Sequence, residues 1–259
     1  MRKSLKRTYV RLTDDTPERI QKVLAAAGIA SRRQLEAWIK AGRIAVNGVP
    51  ASLGQKITRS DQVKIDDKPV SLTVAQQVRV LAYNKPIGEI CTRYDPDGRA
   101  TIFDRLPKLR AGRWINVGRL DLNSSGLILL TTDGQLADAL MRPASGIARE
   151  YHVRVLGTVS ESMLTRLQKG LQLEDGPARF ESVEARHGKG ANRWYACRLR
   201  EGRNREVRRL WEAVGCQVNR LIRTRYGSVR LPRDLLPGQS RELDTKEIAT
   251  LHRAAGLGD

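Results

Sequence analysis

Apolar residues recur along this chain at two spacings, and the switch between them marks out its elements. Ile20, Val23, Leu24 and Ala27 fall on one face of a helix that Thr16 and Pro17 open and Gly28 ends, since residues three and four apart share a helix face. Leu35, Trp38 and Ile39 repeat the pattern behind Ser31-Arg32-Arg33-Gln34, a capping box, and Gly42 closes this second helix. Short strands are predicted over residues 43–46, 55–57 and 62–65, with an Asn47-Gly48 turn after the first. Residues 66–77 are polar, carry Pro69 and have no helical period, which predicts a linker. The chain therefore divides into a basic disordered arm at 1–15, a small domain at 16–75 and a larger domain at 76–259.

In the larger domain, residues 78–83 read as a strand and 84–88 as a turn. Leu127 to Leu130 is an apolar run too short for a free-standing helix; bounded by Gly126 and Asp133-Gly134, it predicts a buried strand. Strict alternation over 149–155 puts Tyr151, Val153 and Val155 on one face and His152 on the other. Further strands are predicted at 180–185 and 194–199, with a turn at 188–191. Helices are predicted at 135–141 and 160–171, along Val207, Leu210, Trp211 and Val214 up to Gly215, and behind a capping box at Asp244.

Charge narrows the choice of partner. Among 259 residues, 47 Lys and Arg face 28 Asp and Glu, a net of +19. Such an excess favours a polyanion, because basic groups on phosphates release condensed counterions. No apolar run of about 20 residues and no basic amphipathic helix appears, so a membrane is not the expected partner. Cys91, Cys197 and Cys216 lie far apart and only three histidines are present, which predicts neither a disulfide framework nor a bound metal. There is no secretory signal, so the cytoplasm is the expected compartment. No long apolar stripe demands a partner subunit, which predicts a monomer. Arg32 and Arg33 occupy the first turn of a helix, where the dipole disfavours cations; a phosphate on the free amides and both guanidiniums would remove the conflict.

The chemistry centres on Val117 to Gly134, where a polar, Gly-bounded segment carries Asp121 directly ahead of the apolar run. A carboxylate on the rim of a core element, with glycines that let a substrate approach, has the setting of a reactive group. The same residues also suit a surface turn in which Asp121 caps backbone amides. Gly118-Arg119-Leu120-Asp121, followed by Gly126-Leu127-Ile128-Leu129-Leu130-Thr131-Thr132-Asp133-Gly134, resembles the signature of the RsuA/RluB-type RNA pseudouridine synthases, with Ser124 where that family usually has Thr. Residues 91–106 resemble the RluB branch more than the RsuA branch. Lys22-Val23-Leu24, Gly28, Ser31-Arg32-Arg33, Gly42-Arg43-Ile44 and Val46-Asn47-Gly48, in that order, are similar to the S4 RNA-binding domain.

These resemblances imply an α+β fold: an S4-type helix-helix-strand module, then a catalytic domain on a mixed, mainly antiparallel sheet. They imply Asp121 as the catalytic carboxylate, Tyr151 packed on the target uracil, Arg208 paired with Asp121, and Arg119 and Leu221 at the substrate pocket. In the S4-like module they imply Lys22, Arg32, Arg33 and Arg43 as RNA contacts. The cluster at 201–209 holds four arginines before and within one helix, more than Glu201, Glu206 and Glu212 can pair, so Arg203, Arg205 and Arg209 are expected to reach outward to RNA. Lys85, in a Lys-Pro-x-Gly element the family treats as structural, is a further RNA-facing candidate.

The implied reaction cuts the bond from uracil N1 to ribose C1′, turns the base and rejoins it through C5. A glycosidase needs two carboxylates; an isomerase keeps its leaving group in the pocket, so one suffices. Attack on C1′ and removal of a sugar proton both fit, and neither route needs a cofactor. The expected partner is ribosomal RNA or a pre-ribosomal particle, with large-subunit 23S RNA ahead of 16S RNA; a non-catalytic ribosome-assembly protein is the alternative.

Overall fold

The computed structural model describes residues 9–10, 16–58, 60–70, 76–109, 112–186 and 192–258. The chain folds as two compact units: residues 1–79 with 107–115 and 132–134, and residues 80–106, 116–131 and 135–259.

In the first unit, helices Ile20–Ala26 and Arg32–Lys40 bury Ile20, Val23, Leu24, Leu35 and Ile39 against Ile44, Val46, Ile57 and Val63. The sheet beside them is antiparallel, in the order Val49–Pro50, Ile44–Val46, Val63–Ile65, Lys68–Val70. Asn47 and Gly48 both have positive φ, 51° and 84°, the geometry a two-residue hairpin turn requires. Glu18–Arg19, expected at the head of the first helix, is instead a strand paired with Lys56–Ile57. The helix therefore starts behind Arg19 with no side-chain cap, and the Ile20 amide donates to the Gln55 carbonyl at 2.9 Å rather than to Thr16.

The expected linker also begins as structure. Asp66 and Asp67 turn the chain with φ of 48° and 62°, and Lys68–Val70 returns along Val63–Ile65. Pro69 is tolerated there because the strand lies at the sheet's edge, where a missing amide donor breaks no ladder bond. Within the stretch expected to be a disordered arm, Tyr9–Val10 pairs antiparallel with Gln76–Gln77. The rest of that arm, residues 1–8 and 11–15, lies outside the described residues, as do 71–75 and the turn expected at 188–191.

In the second unit the sheet runs Ser182–Ala185, Asn192–Leu199, Arg149–Leu156, Gln217–Tyr226, Ser124–Thr131, Val80–Lys85, Ser240–Glu242. Neighbours along it are antiparallel except Ser124–Thr131 beside Gln217–Tyr226. The fold is thus α+β on a mixed, mainly antiparallel sheet, as the resemblance implies. Gly126 makes the parallel join possible: its φ is +99°, and a Cβ there would lie 2.3 Å from the Arg223 carbonyl oxygen.

The alternation in Arg149–Leu156 buries Tyr151, Val153 and Val155 with Tyr195, Cys197, Val218 and Leu221. Helix Glu206–Glu212 covers this core with Leu210 and Trp211, whose ring lies 4.9 Å from that of Tyr195 and 6.2 Å from that of Phe180. Leu120, from the central motif, belongs to the same cluster. The residue before Asp121 is thereby anchored in the core.

Candidate active site

The loop carrying Asp121 is held through its main chain. Lys85, expected in a turn and facing RNA, instead ends the Val80–Lys85 strand and is fully buried. Its ammonium donates to the carbonyls of Pro86 at 2.9 Å, Asp121 at 3.1 Å and Ser124 at 2.8 Å. Burial pulls its pKa below the ordinary lysine range, opposed by Cys91, Glu89 and Asp121. Those three acceptors explain how an ammonium is tolerated in the interior. The Cys91 thiol, pushed up in pKa mainly by burial, donates to the Leu120 carbonyl and accepts from the Leu120 amide, both at 3.4 Å. The Gly88 amide donates to Leu122 at 3.0 Å, and the Ser124 amide closes a turn on the Asp121 carbonyl at 3.0 Å.

Arg208 braces the far side. One of its terminal nitrogens donates to the Val218 carbonyl at 2.8 Å, and the other to the Asn123 carbonyl at 3.0 Å and the Ser124 hydroxyl at 3.4 Å. The ion pair with Asp121 implied by the resemblance is not formed: the guanidinium is engaged by main-chain carbonyls and reaches Asp121 only as a nearby charge. Burial, then Arg205, pulls its pKa below the ordinary value, and Asp121 opposes the shift. The Asp121 side chain is half-buried and, among the described residues, has neither a hydrogen bond nor an ion pair. A carboxylate whose backbone is fixed on both sides while its oxygens stay unengaged is preorganised to act on a bound molecule.

Around it, Leu221 stands in register with Ser124 across the parallel join, and Tyr151 lies opposite Arg223 on the next strand. Leu120, Tyr151 and Leu221 share one apolar cluster, with Cys91 packed against it. Arg119 is exposed two residues ahead of Asp121 and has no hydrogen bond or ion pair among the described residues. Arg223 is a buried member of the site's frame, donating from Nε to the Leu127 carbonyl at 2.7 Å.

The basic cluster at 201–209 is organised differently from the expectation. Asp175, in the turn between Leu171–Leu173 and Gly176–Ala178, takes Arg209 through both its oxygens at 2.8 Å, and Arg203 at 3.1 Å. Arg203 also donates to the Pro177 carbonyl at 2.6 Å and pairs with Glu201 at 2.9 Å. Arg203 and Arg209 thus tie a hairpin to a helix instead of reaching outward. Sequence reasoning missed Asp175 because it lies 28 and 34 residues from its partners. Arg205, in left-handed backbone ahead of the helix, is half-exposed and pairs with Glu212 at 3.5 Å.

In the first unit Lys22 pairs with Glu18. Arg43 packs on Trp38, 4.6 Å from the ring centroid, and clamps Asp66 through its Nε at 2.8 Å. Arg32 and Arg33 are exposed at a helix start where the Ser31 hydroxyl accepts from Gln34, and neither has a hydrogen bond or ion pair among the described residues.

The profile of the RNA pseudouridylate synthase family matches residues 79–213, and that of the S4 domain matches residues 18–63. The chain belongs to the RNA pseudouridylate synthase family. Relatives named ribosomal large subunit pseudouridine synthase B are 53% identical over 255 residues in Pseudomonas aeruginosa, spanning 94% of this chain and 66% of that protein, and 56% identical over 244 residues in Escherichia coli, spanning 93% and 84%. A crystal structure of a pseudouridylate synthase superposes with a TM-score of 0.63 at 27% identity, covering 90% of this chain and 99% of that one.

Proposed function

We propose that this chain isomerises uridine to pseudouridine in large-subunit ribosomal RNA, free or within a precursor particle, with Asp121 as the reacting carboxylate. The observation that carries this reading is the unengaged Asp121 side chain on a loop held by Lys85, Cys91 and Arg208. The target base leaves its stack at a cost of a few kcal/mol, offset by backbone contacts and by the apolar cluster of Leu120, Tyr151 and Leu221. The N1–C1′ bond breaks with its electron pair going to N1, the base turns in place, C5 bonds to C1′ and gives up its proton to solvent, and N1 takes up a proton, so the product is an isomer of the substrate. Asp121 takes part at the sugar, by attack on C1′ or by removing a sugar proton, and Arg208 supports it by fixing the Asn123 carbonyl and lending a nearby positive charge. The names of the relatives favour the large subunit. Transcripts of both ribosomal RNAs, incubated with the protein and probed by carbodiimide derivatisation and primer extension, test this. One protein-dependent stop in large-subunit RNA is expected; stops confined to small-subunit RNA would contradict the choice of target.

A further inference from the structure

The stretch from Pro86 to Arg99 leaves the Val80–Lys85 strand and passes beside the Asp121 loop, and it carries two large apolar side chains into solvent. Ile87 is 52% exposed and Tyr94 is 79% exposed. Exposure of this kind on a mobile strand would mean little, but this backbone is fixed. The base of the loop is closed by Ile90 donating to Ala100 and Ile102 donating to Ile90, both at 3.0 Å. Its tip is held by the Thr92 hydroxyl on the Tyr94 carbonyl at 3.0 Å and by Asp95, which accepts from the Arg99 amide at 2.8 Å and from its guanidinium at 2.9 Å.

Residues near both exposed side chains tie this stretch to the Asp121 loop. Gly88, next to Ile87, donates to Leu122, and Cys91 bonds both main-chain groups of Leu120. Three residues of chain span at most about 11 Å, so Tyr94 stays within reach of a short RNA segment entering the Asp121 site. A rigid aromatic ring held in water beside such a site loses little freedom on binding, and every nucleobase offers it a flat face.

We propose that Tyr94 is a base-stacking contact: its ring packs on a nucleobase next to the target uridine and replaces the stacking that base loses when the uridine enters the site, with Ile87 as the apolar flank. This rests on the reading of Asp121 as the reacting carboxylate. It accounts for a feature that the core, the sheet and the Asp121 bracing leave without a role.

Tritium release from a large-subunit rRNA transcript labelled at uracil C5 tests the proposal, with wild type, Tyr94→Ala, Tyr94→Phe and Asp121→Asn run side by side and each variant's melting temperature recorded. Removing the ring in Tyr94→Ala is expected to lower kcat/KM roughly 10-fold or more, while Tyr94→Phe keeps the wild-type rate and all melting temperatures coincide. In the Asp121→Asn background, Tyr94→Ala is expected to weaken transcript binding by a similar factor. A wild-type rate in Tyr94→Ala, a Tyr94→Phe rate as low as that of Tyr94→Ala, or a lowered melting temperature in Tyr94→Ala would each overturn the stacking role. Failure of the underlying reading looks different: wild type would release no tritium, or Asp121→Asn would release it at the wild-type rate, and the proposal would fall with it.

Discussion

Lys85 shows how a single side chain can organise a site it never enters. Its ammonium replaces water for three carbonyls at once, two of which flank the Asp121 turn. A group that removes three buried acceptors' need for solvent is hard to replace, because each carbonyl left unpaired carries its own desolvation penalty. Lys85→Met is expected to destabilise the protein by roughly 3 kcal/mol in urea unfolding. It is also expected to reduce kcat about 100-fold, as a shift of the carboxylate by 1 Å does; an unchanged unfolding midpoint would contradict the bracing role. This residue was poorly legible in the sequence, where a lysine before Pro86 suits a solvent-facing turn. Asp121 stood out in the sequence through the resemblance of Gly118-Arg119-Leu120-Asp121 to a family signature, since a carboxylate between glycines ahead of an apolar run suits a capping turn equally well. The partner of Arg208 was not: a guanidinium can serve carboxylates or carbonyls, and only the fold brings Asn123 and Val218 to it.

At the scale of elements, strict alternation made Arg149–Leu156 readable, and helical spacing did the same for the helix bearing Leu210 and Trp211. Lys68–Val70 and Glu18–Arg19 escaped because strands of two or three residues have no period, and their pairing depends on distant partners. The hairpin of Leu171–Leu173 with Gly176–Ala178 is joined to the helix Glu206–Glu212 by Asp175. Arg209 and then Arg203 hold the Asp175 carboxyl below its usual 3.8. Because the folded pKa is depressed, the unfolded chain binds more protons in that window, so the contribution is complete above 3.8 and lost as pH falls below it. Asp175→Asn is therefore expected to unfold at lower urea than wild type at pH 7, and the gap is expected to close in acid. A gap that persists unchanged at the lowest pH would show that the carboxylate charge is not the link.

For the whole molecule, the excess of 19 positive charges pointed to a polyanion before any element was placed, and it did so without indicating which arginines remain available. Many are engaged internally: Arg43 by Asp66, Arg203 and Arg209 by Asp175, Arg208 and Arg223 by carbonyls. Arg32 and Arg33 are among those left open. Replacing both by Ala is expected to weaken RNA binding and to reduce the salt slope by about 0.7 to 0.9 for each phosphate that is no longer neutralised, while kcat at saturating RNA stays unchanged. Salt titrations of affinity check this, and an unaltered slope would place the phosphates elsewhere. The role of Asp121 is read out by tritium release from uracil C5 in Asp121→Asn, with transcript affinity measured on the same preparation. Binding within about 3-fold of wild type, with no release, is the expected result for a group that acts on the reacting sugar rather than on affinity. Release at the wild-type rate would contradict the account, because the carboxylate would then be only part of a turn.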